Sequence, residues 1–231
     1  MIKAVFIDID DTLLDFEPTC AAAMREGFEK FHIGPYKDEM VKALLEVTSE
    51  MWKEIEREEI TFEILRRERF GRVFSRLGID FDGVLFEDFF RKFLFESAIE
   101  VSGAREMLDY LEGKYIICTA SNGPHAQQIN RLKNADMLKY FSHFFISESV
   151  GASKPSKDFF SYALSKLNEG RKEKILPSEI MMIGDSLSSD MTGAVNSGLI
   201  SCFLDRKDTG DTRGLKVDYI IKKPTDIFKI L

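Results

Sequence analysis

Short apolar runs ending at polar or glycine-containing turns recur along the chain, at residues 3–8, 114–120, 143–146, 180–184, 200–204 and 219–221. They lack the polar alternation of a half-solvated strand, so they predict strands buried on both faces, as in a parallel sheet. Most are separated by stretches of helical period, at 104–112, 125–133, 157–167 and 188–196. Repeated strand-helix units of this kind predict an α/β fold with a doubly wound parallel sheet.

One separation breaks the rhythm: between residues 9 and 113 the pattern reads as helix throughout. Val41, Leu44, Leu45, Thr48, Trp52 and Ile55 fall on one helical face, as do Phe70, Val73, Phe74 and Leu77, and then Phe86, Phe89, Phe90 and Phe93. Thr61 is placed to cap the start of one of these helices. A plain crossover does not need so much chain. The expected organisation is a core of residues 1–15 and 98–231, with a four-helix insertion over residues 16–97 at the carboxyl end of the first strand. An insertion there is expected to cover whatever the sheet's carboxyl edge binds.

Composition narrows the class without naming a chemistry. The 231 residues are 44% hydrophobic and 31% charged with 15 Gly and 6 Pro, an ordinary globular balance. Lys and Arg number 32 against 39 Asp and Glu, a net charge of −7 that argues against a nucleic-acid polymer or an anionic membrane as partner. Cys20, Cys118 and Cys202 are widely spaced, without a CxxC pair, which fits a reducing cytoplasm better than a disulfide scaffold or a structural zinc site. Asp8 interrupts the N-terminal apolar run too early for a signal peptide, and no later run approaches a membrane span, so the expected protein is soluble and cytoplasmic.

The chemistry gathers where the predicted strands end. Asp8-Ile9-Asp10-Asp11-Thr12 follows the first strand, and carboxylates one residue apart are expected to point the same way and repel. Such a cluster calls for a cation, and hard oxygen ligands favour magnesium. Gly184-Asp185 with Asp190 offers a second carboxylate pair at a strand-to-helix junction. Ser121-Asn122-Gly123-Pro124 supplies a hydroxyl and a turn whose N–H groups can cradle an anion, with Pro124 suited to the first helical position. Gly151-Ala152-Ser153-Lys154-Pro155 sets one lysine in a turn. Each alone reads equally as a solvated turn; in sequence, each just beyond a strand's carboxyl end, they describe one site.

These residues make the chain resemble the haloacid dehalogenase superfamily over essentially its whole length. The family's DxDxT motif matches Asp8-Ile9-Asp10-Asp11-Thr12, its Ser or Thr after strand two matches Ser121, its Lys-Pro matches Lys154-Pro155, and its GDxxxxD matches Gly184-Asp185 with Asp190. The resemblance implies a Rossmann-like core, a helical cap of the first class, and phosphoryl transfer. Asp8 would be the nucleophile that forms an aspartyl-phosphate. Asp10 would protonate the leaving alkoxide and then accept a proton from water. Magnesium would be bound by Asp8, the Asp10 carbonyl and Asp185, with Asp190 behind them steadying waters or Lys154. Lys154, Ser121, Asn122 and Gly123 would hold the transferring oxygens. The family's dehalogenases lack an acid where Asp10 stands, so a phosphatase is expected. Phosphomutases keep both acids, and no cap feature marks one here.

The stretch Met51-Trp52-Lys53-Glu54-Ile55-Glu56-Arg57-Glu58-Glu59-Ile60-Thr61-Phe62-Glu63, followed by Arg69-Phe70, is similar to the cap of bacterial pyrimidine 5′-nucleotidase-like members, although Glu58 and Glu59 stand where those members commonly carry Gly. The implied substrate is a small phosphate ester, most of all a nucleoside monophosphate, with a sugar-phosphate phosphatase, a phosphomutase, or a non-catalytic module on the same fold as alternatives. The expected assembly is a monomer or homodimer. Trp52 and the phenylalanines fall at core spacing rather than marking a base-stacking site. Arg66, Arg67, Arg69, Arg72 and Arg76 are expected to form a solvated, salt-bridged face. His125 could line the pocket, and Thr119 is a less favoured alternative to Ser121. Cys118 is expected to be a small buried hydrophobe.

Overall fold

The computed structural model describes residues 1–57 and 59–231. Among them the chain divides into two compact units, Met1–Asp15 with Ala98–Leu231, and Phe16–Ser97. The second is all helical: α1 (Phe16–Lys30), α2 (Met40–Glu56), α3 (Phe62–Leu77) and α4 (Gly83–Glu96). Thr61 begins α3 by accepting the Ile64 N–H at 3.3 Å, and Gly78, left-handed at φ 66°, ends it. Asp82 begins α4 by accepting the Val84 and Leu85 N–H groups at 2.8 and 3.1 Å. The apolar faces then close on one another, with Leu44, Val47, Met51, Phe70, Val73, Phe74, Phe86 and Phe90 buried among them. Trp52 packs on Phe62 with ring centres 5.6 Å apart, as core spacing requires.

Most of the expected arginine face is as drawn: Arg72 pairs with Glu54 and Glu68, and Arg76 with Glu46 and Glu50. Arg69 departs from it. Its position turns it from α3 toward α4, where it is buried, grips Glu87 through two bonds of 2.6 and 3.0 Å, and lies 4.6 Å from the Phe90 ring centre. Of the stretch 51–63, Glu58 lies outside the described residues.

The first unit is a three-layer sandwich. Its strands are β1 (Ala4–Ile7), β2 (Ile116–Ser121), β3 (His143–Ile146), β4 (Ile180–Gly184), β5 (Ile200–Leu204) and β6 (Tyr219–Ile221), all parallel and ordered β3-β2-β1-β4-β5-β6. Between them run α5 (Ala104–Leu111), α6 (His125–Asn134), α7 (Ser147–Val150), α8 (Lys157–Leu167) and α9 (Thr192–Ser197). Alternate strand residues serve opposite layers. Val5, Ile7, Ile117, Met181 and Ile183 pack with Leu108, Leu111 and Leu132, while Phe6, Cys118, Ala120 and Met182 pack with Phe159, Phe160 and Ala163. Two buried faces explain why the strands carry no polar alternation.

The helix expected over 188–196 is divided. Leu187–Met191 forms a π-helical turn before α9, with the Met191 N–H bonded to the Ser186 carbonyl at 3.1 Å and the Asp190 carboxylate turned back to accept the Ser186 N–H at 3.1 Å. No helix among the described residues is long and apolar enough to cross a membrane.

Candidate active site

β1 sits between β2 and β4, so Asp8, Ser121 and Asp185 emerge from three adjacent strand ends, where the connections depart to opposite sides of the sheet. Lys154 reaches them from the turn after α7. Its buried ammonium donates to Asp8 Oδ1 and Asp190 Oδ1, each at 2.6 Å, and to the Ala120 carbonyl. Its backbone is fixed by Asn122, whose amide donates to the Lys154 carbonyl at 2.9 Å and accepts its N–H at 2.8 Å. That use of the Asn122 side chain is not visible in the sequence, which points only to its N–H. Gly184 has no side chain because a Cβ there would run into the Asp190 carboxylate.

Asp8, Asp185 and Asp190 present carboxylate oxygens within 4.8 Å of one another. Burial raises the Asp8 carboxyl to about 8; Lys154 opposes the rise, and Asp190 and Asp10 add to it. Asp185 is raised well above the ordinary range by burial and by Asp8, Asp11 and Asp190. Burial alone would weaken the Lys154 charge, but Asp190 and Asp8 outweigh it and hold its pKa above the ordinary value. Three carboxylates thus share one ammonium, and an all-oxygen cluster still short of positive charge fits a hard divalent cation. Asp190 was expected behind the ligands; it does hold Lys154, yet it also stands within the cluster.

Asp10 does not face the same partners as Asp8. The strand geometry stops at Ile7, the chain turns with Leu13 and Leu14 N–H groups on the Ile9 carbonyl, and Asp11 is left-handed at φ 57°. The alternation that would align the two carboxylates therefore does not extend to Asp10. Its carboxylate binds Gln128 Nε2 at 2.7 Å and Arg131 Nη1, so what Asp10 can offer a metal is its carbonyl. Gln128 Nε2 also lies 2.8 Å from Ser121 Oγ.

The anion cradle is smaller than the sequence suggested. The Gly123 N–H is spent on Ser121 Oγ at 3.2 Å, and the His125 N–H on the Glu148 carboxylate at 2.8 Å. Pro124 caps α6 instead of opening it, and the His125 ring bonds Ser149 at 2.8 Å. Thr119 is buried within β2, leaving Ser121 as the hydroxyl at the strand's end. Cys118 is buried too, and burial pushes its thiol up to about 12, as expected of an inert side chain. Sequence reasoning missed Gln128, Arg131 and Arg206. The first two occupy the buried face of α6 with Leu132, and two polar residues at core spacing were the available signal. Arg206, after β5, pairs with Asp15 at 2.6 Å and Asp11 at 3.5 Å, bracing the turn that follows β1.

Comparison with known proteins gives the chain a family. Residues 2–198 match the haloacid dehalogenase-like hydrolase family model. The chain is 33% identical to the pyrimidine 5′-nucleotidase PynA of Streptococcus pneumoniae (strain ATCC BAA-255 / R6), over 85% of this chain and 81% of PynA. It is 28% identical to the HAD-hydrolase YfnB of Bacillus subtilis (strain 168), over 99% of this chain and 95% of YfnB. A crystal structure of YfnB bound to magnesium superposes with a TM-score of 0.88 over 100% of this chain and 98% of that one, at 27% identity. Fold, strand-end motifs and sequence relatedness together make this chain a member of the haloacid dehalogenase-like hydrolases.

Proposed function

We propose that this phosphatase of the haloacid dehalogenase type hydrolyses phosphomonoesters through a phosphorylated Asp8, with nucleoside monophosphates, pyrimidine ones foremost, as its substrates. The observation that carries the reading is the cluster at the strand ends: Lys154 on both Asp8 and Asp190 at 2.6 Å, with Asp185 beside them and Asp10 held apart. One acid stands in the charged cluster and the other outside it, as a nucleophile and a proton carrier require.

In the first step an Asp8 carboxylate oxygen attacks phosphorus, the ester P–O bond breaks, and Asp10 gives its proton to the departing alkoxide. In the second, Asp10 takes a proton from water, the oxygen of which attacks phosphorus and releases Asp8 and inorganic phosphate. Lys154, the Ser121 hydroxyl and the Asn122 N–H hold the phosphoryl oxygens while charge builds on them. Asp8, Asp185 and the Asp10 carbonyl would hold magnesium, which would supply the positive charge that lets an anionic carboxylate meet a phosphate dianion.

The base preference draws on the similarity to PynA, named a pyrimidine 5′-nucleotidase, and on the Met51 to Glu63 stretch. The buried free thiols Cys20, Cys118 and Cys202 suit a reducing cytoplasm. The test is phosphate release from pyrimidine and purine nucleoside monophosphates, sugar phosphates and 4-nitrophenyl phosphate, with magnesium and with chelator. Magnesium-dependent release led by pyrimidine monophosphates is expected. Release led by sugar phosphates would overturn the substrate, and none from any ester would overturn the phosphatase.

A further inference from the structure

We propose that Gln128 and Arg131 form one positioning unit that aims two groups of the reaction together, the Asp10 carboxylate and the Ser121 hydroxyl; this rests on the phosphatase reading above. The unit begins with Arg131, which is 1% exposed and has only donors to offer. Its Nη1 donates to Gln128 Oε1 at 3.0 Å and also binds Asp10 Oδ1. A guanidinium on Oε1 settles which end of the Gln128 amide is which, so Nε2 is turned toward the site. The two hydrogens of Nε2 then go to Asp10 Oδ2 at 2.7 Å and Ser121 Oγ at 2.8 Å.

The consequence falls on Ser121. Its oxygen accepts from Gln128 and from the Gly123 N–H at 3.2 Å, which uses both lone pairs. The hydroxyl hydrogen must therefore be given away, and Ser121 becomes an obligate donor at the place where phosphoryl oxygens are held. The consequence for Asp10 is orientation: both of its oxygens are bound, although the side chain is 37% exposed and would otherwise sample several rotamers.

Two further observations set this unit apart from ordinary core packing. Arg131 Nε and Nη2 are buried without a hydrogen-bond partner, so the guanidinium directs its bonding to the site through a single nitrogen. A Cβ on Gly123 would lie 2.6 Å from Gln128 Nε2, so glycine at the turn is what lets the amide reach Ser121. Gln128 and Arg131 are positioning residues, because neither is placed on the reacting atoms.

The test is leaving-group dependence in the magnesium-loaded enzyme. An alkoxide needs the Asp10 proton and a nitrophenolate does not, and kcat/KM reports the step in which either departs. Gln128→Leu and Arg131→Met are expected to lower kcat/KM on a nucleoside monophosphate about 100-fold, and on 4-nitrophenyl phosphate at least about tenfold less. In an Asp10→Asn background, Gln128→Leu should leave the ratio of the two esters unchanged. Equal losses on both esters by folded variants would overturn the proposal and mark the pair as structural. The isosteric Gln128→Glu, which keeps volume while setting a carboxylate against Asp10, covers the case in which larger changes prevent folding. Its crystal structure should show Asp10 displaced or in more than one rotamer, and an unmoved Asp10 would equally overturn the idea. Wild-type enzyme inert on both esters would overturn the phosphatase reading itself, a result separable from either variant outcome.

Discussion

In the helical unit, Arg69 and Glu87 bury one positive and one negative group and join them through two bonds, with the Phe90 ring against the guanidinium. In the sheet unit, Lys154 is buried with Asp8 and Asp190 both upon it and Asp185 alongside. The ingredients are the same and the accounts differ. The first pair is matched one to one, and its geometry satisfies both partners, as a buried pair must if it is to be tolerated. The second leaves more carboxylate than ammonium, and the Asp8 and Asp185 carboxyls are raised, first by burial and then by the neighbouring carboxylates. A balanced buried pair can hold helices together, whereas an unbalanced one waits for an ion or a substrate to complete it.

The sharpest way to break this comparison is Asp8→Asn. Phosphate release should fall by at least roughly 10³-fold, since a nucleophile is lost. At the same time the metal-free protein should melt higher, because a buried carboxyl that opposes its neighbours has been removed. Near-normal turnover by the folded variant would remove Asp8 from the nucleophile's role. The matching change in the helical unit is Glu87→Gln, which strands a buried guanidinium. It should cost about 3 kcal/mol of stability in denaturant melts and leave kcat per folded molecule alone. Replacing both partners, as Arg69→Met with Glu87→Leu, should recover most of the loss; a single variant as stable as the parent would show that the pair carries no structural weight.

A smaller effect is expected at Asp185. Asp185→Ala should weaken magnesium binding at least about tenfold in calorimetry, and an unchanged isotherm would take Asp185 out of the ligand set. The finest test is pH. Because the Asp8 carboxyl is raised from 3.8 to about 8 on folding, the folded metal-free protein holds a proton that the unfolded chain has lost across that range. Its stability should therefore fall as pH rises through this window, and the melting-temperature gain from added magnesium should grow with pH. A gain that stays flat from acid to neutral pH would mean that the cluster does not carry the excess charge.

Much of this was legible in the chain. The runs at 143–146, 180–184, 200–204 and 219–221 became strands with those bounds; in the central ones residues buried on two faces leave an apolar signature that needs no partner to be read, whereas β6, at the sheet's edge, keeps its apolar run with Tyr219 and Ile220 exposed. Thr61 declared a helix start because capping is local chemistry. The motif residues Asp8, Ser121, Lys154, Asp185 and Asp190 were likewise visible from their places just beyond predicted strands. Other features were not. Arg69 resembled its solvated neighbours on the same helix, since a helical period tells which residues share a face but not what that face meets. The Asp10 carboxylate was expected beside that of Asp8, and the turn closed on the Ile9 carbonyl sent it elsewhere.

The sequence by itself determined the layered α/β class, the helical insertion and the identity of the charged residues at the strand ends, because periodicity, capping and strand-end position are properties of neighbours along the chain. Only the tertiary structure decided who holds whom: Lys154 between Asp8 and Asp190, Asn122 clamped to the Lys154 backbone, Gln128 and Arg131 on Asp10. Those contacts join residues as far as 146 positions apart. Hydrogen bonds act over a few ångströms of space, and no local pattern records which distant groups the closing of the sheet will bring within that reach.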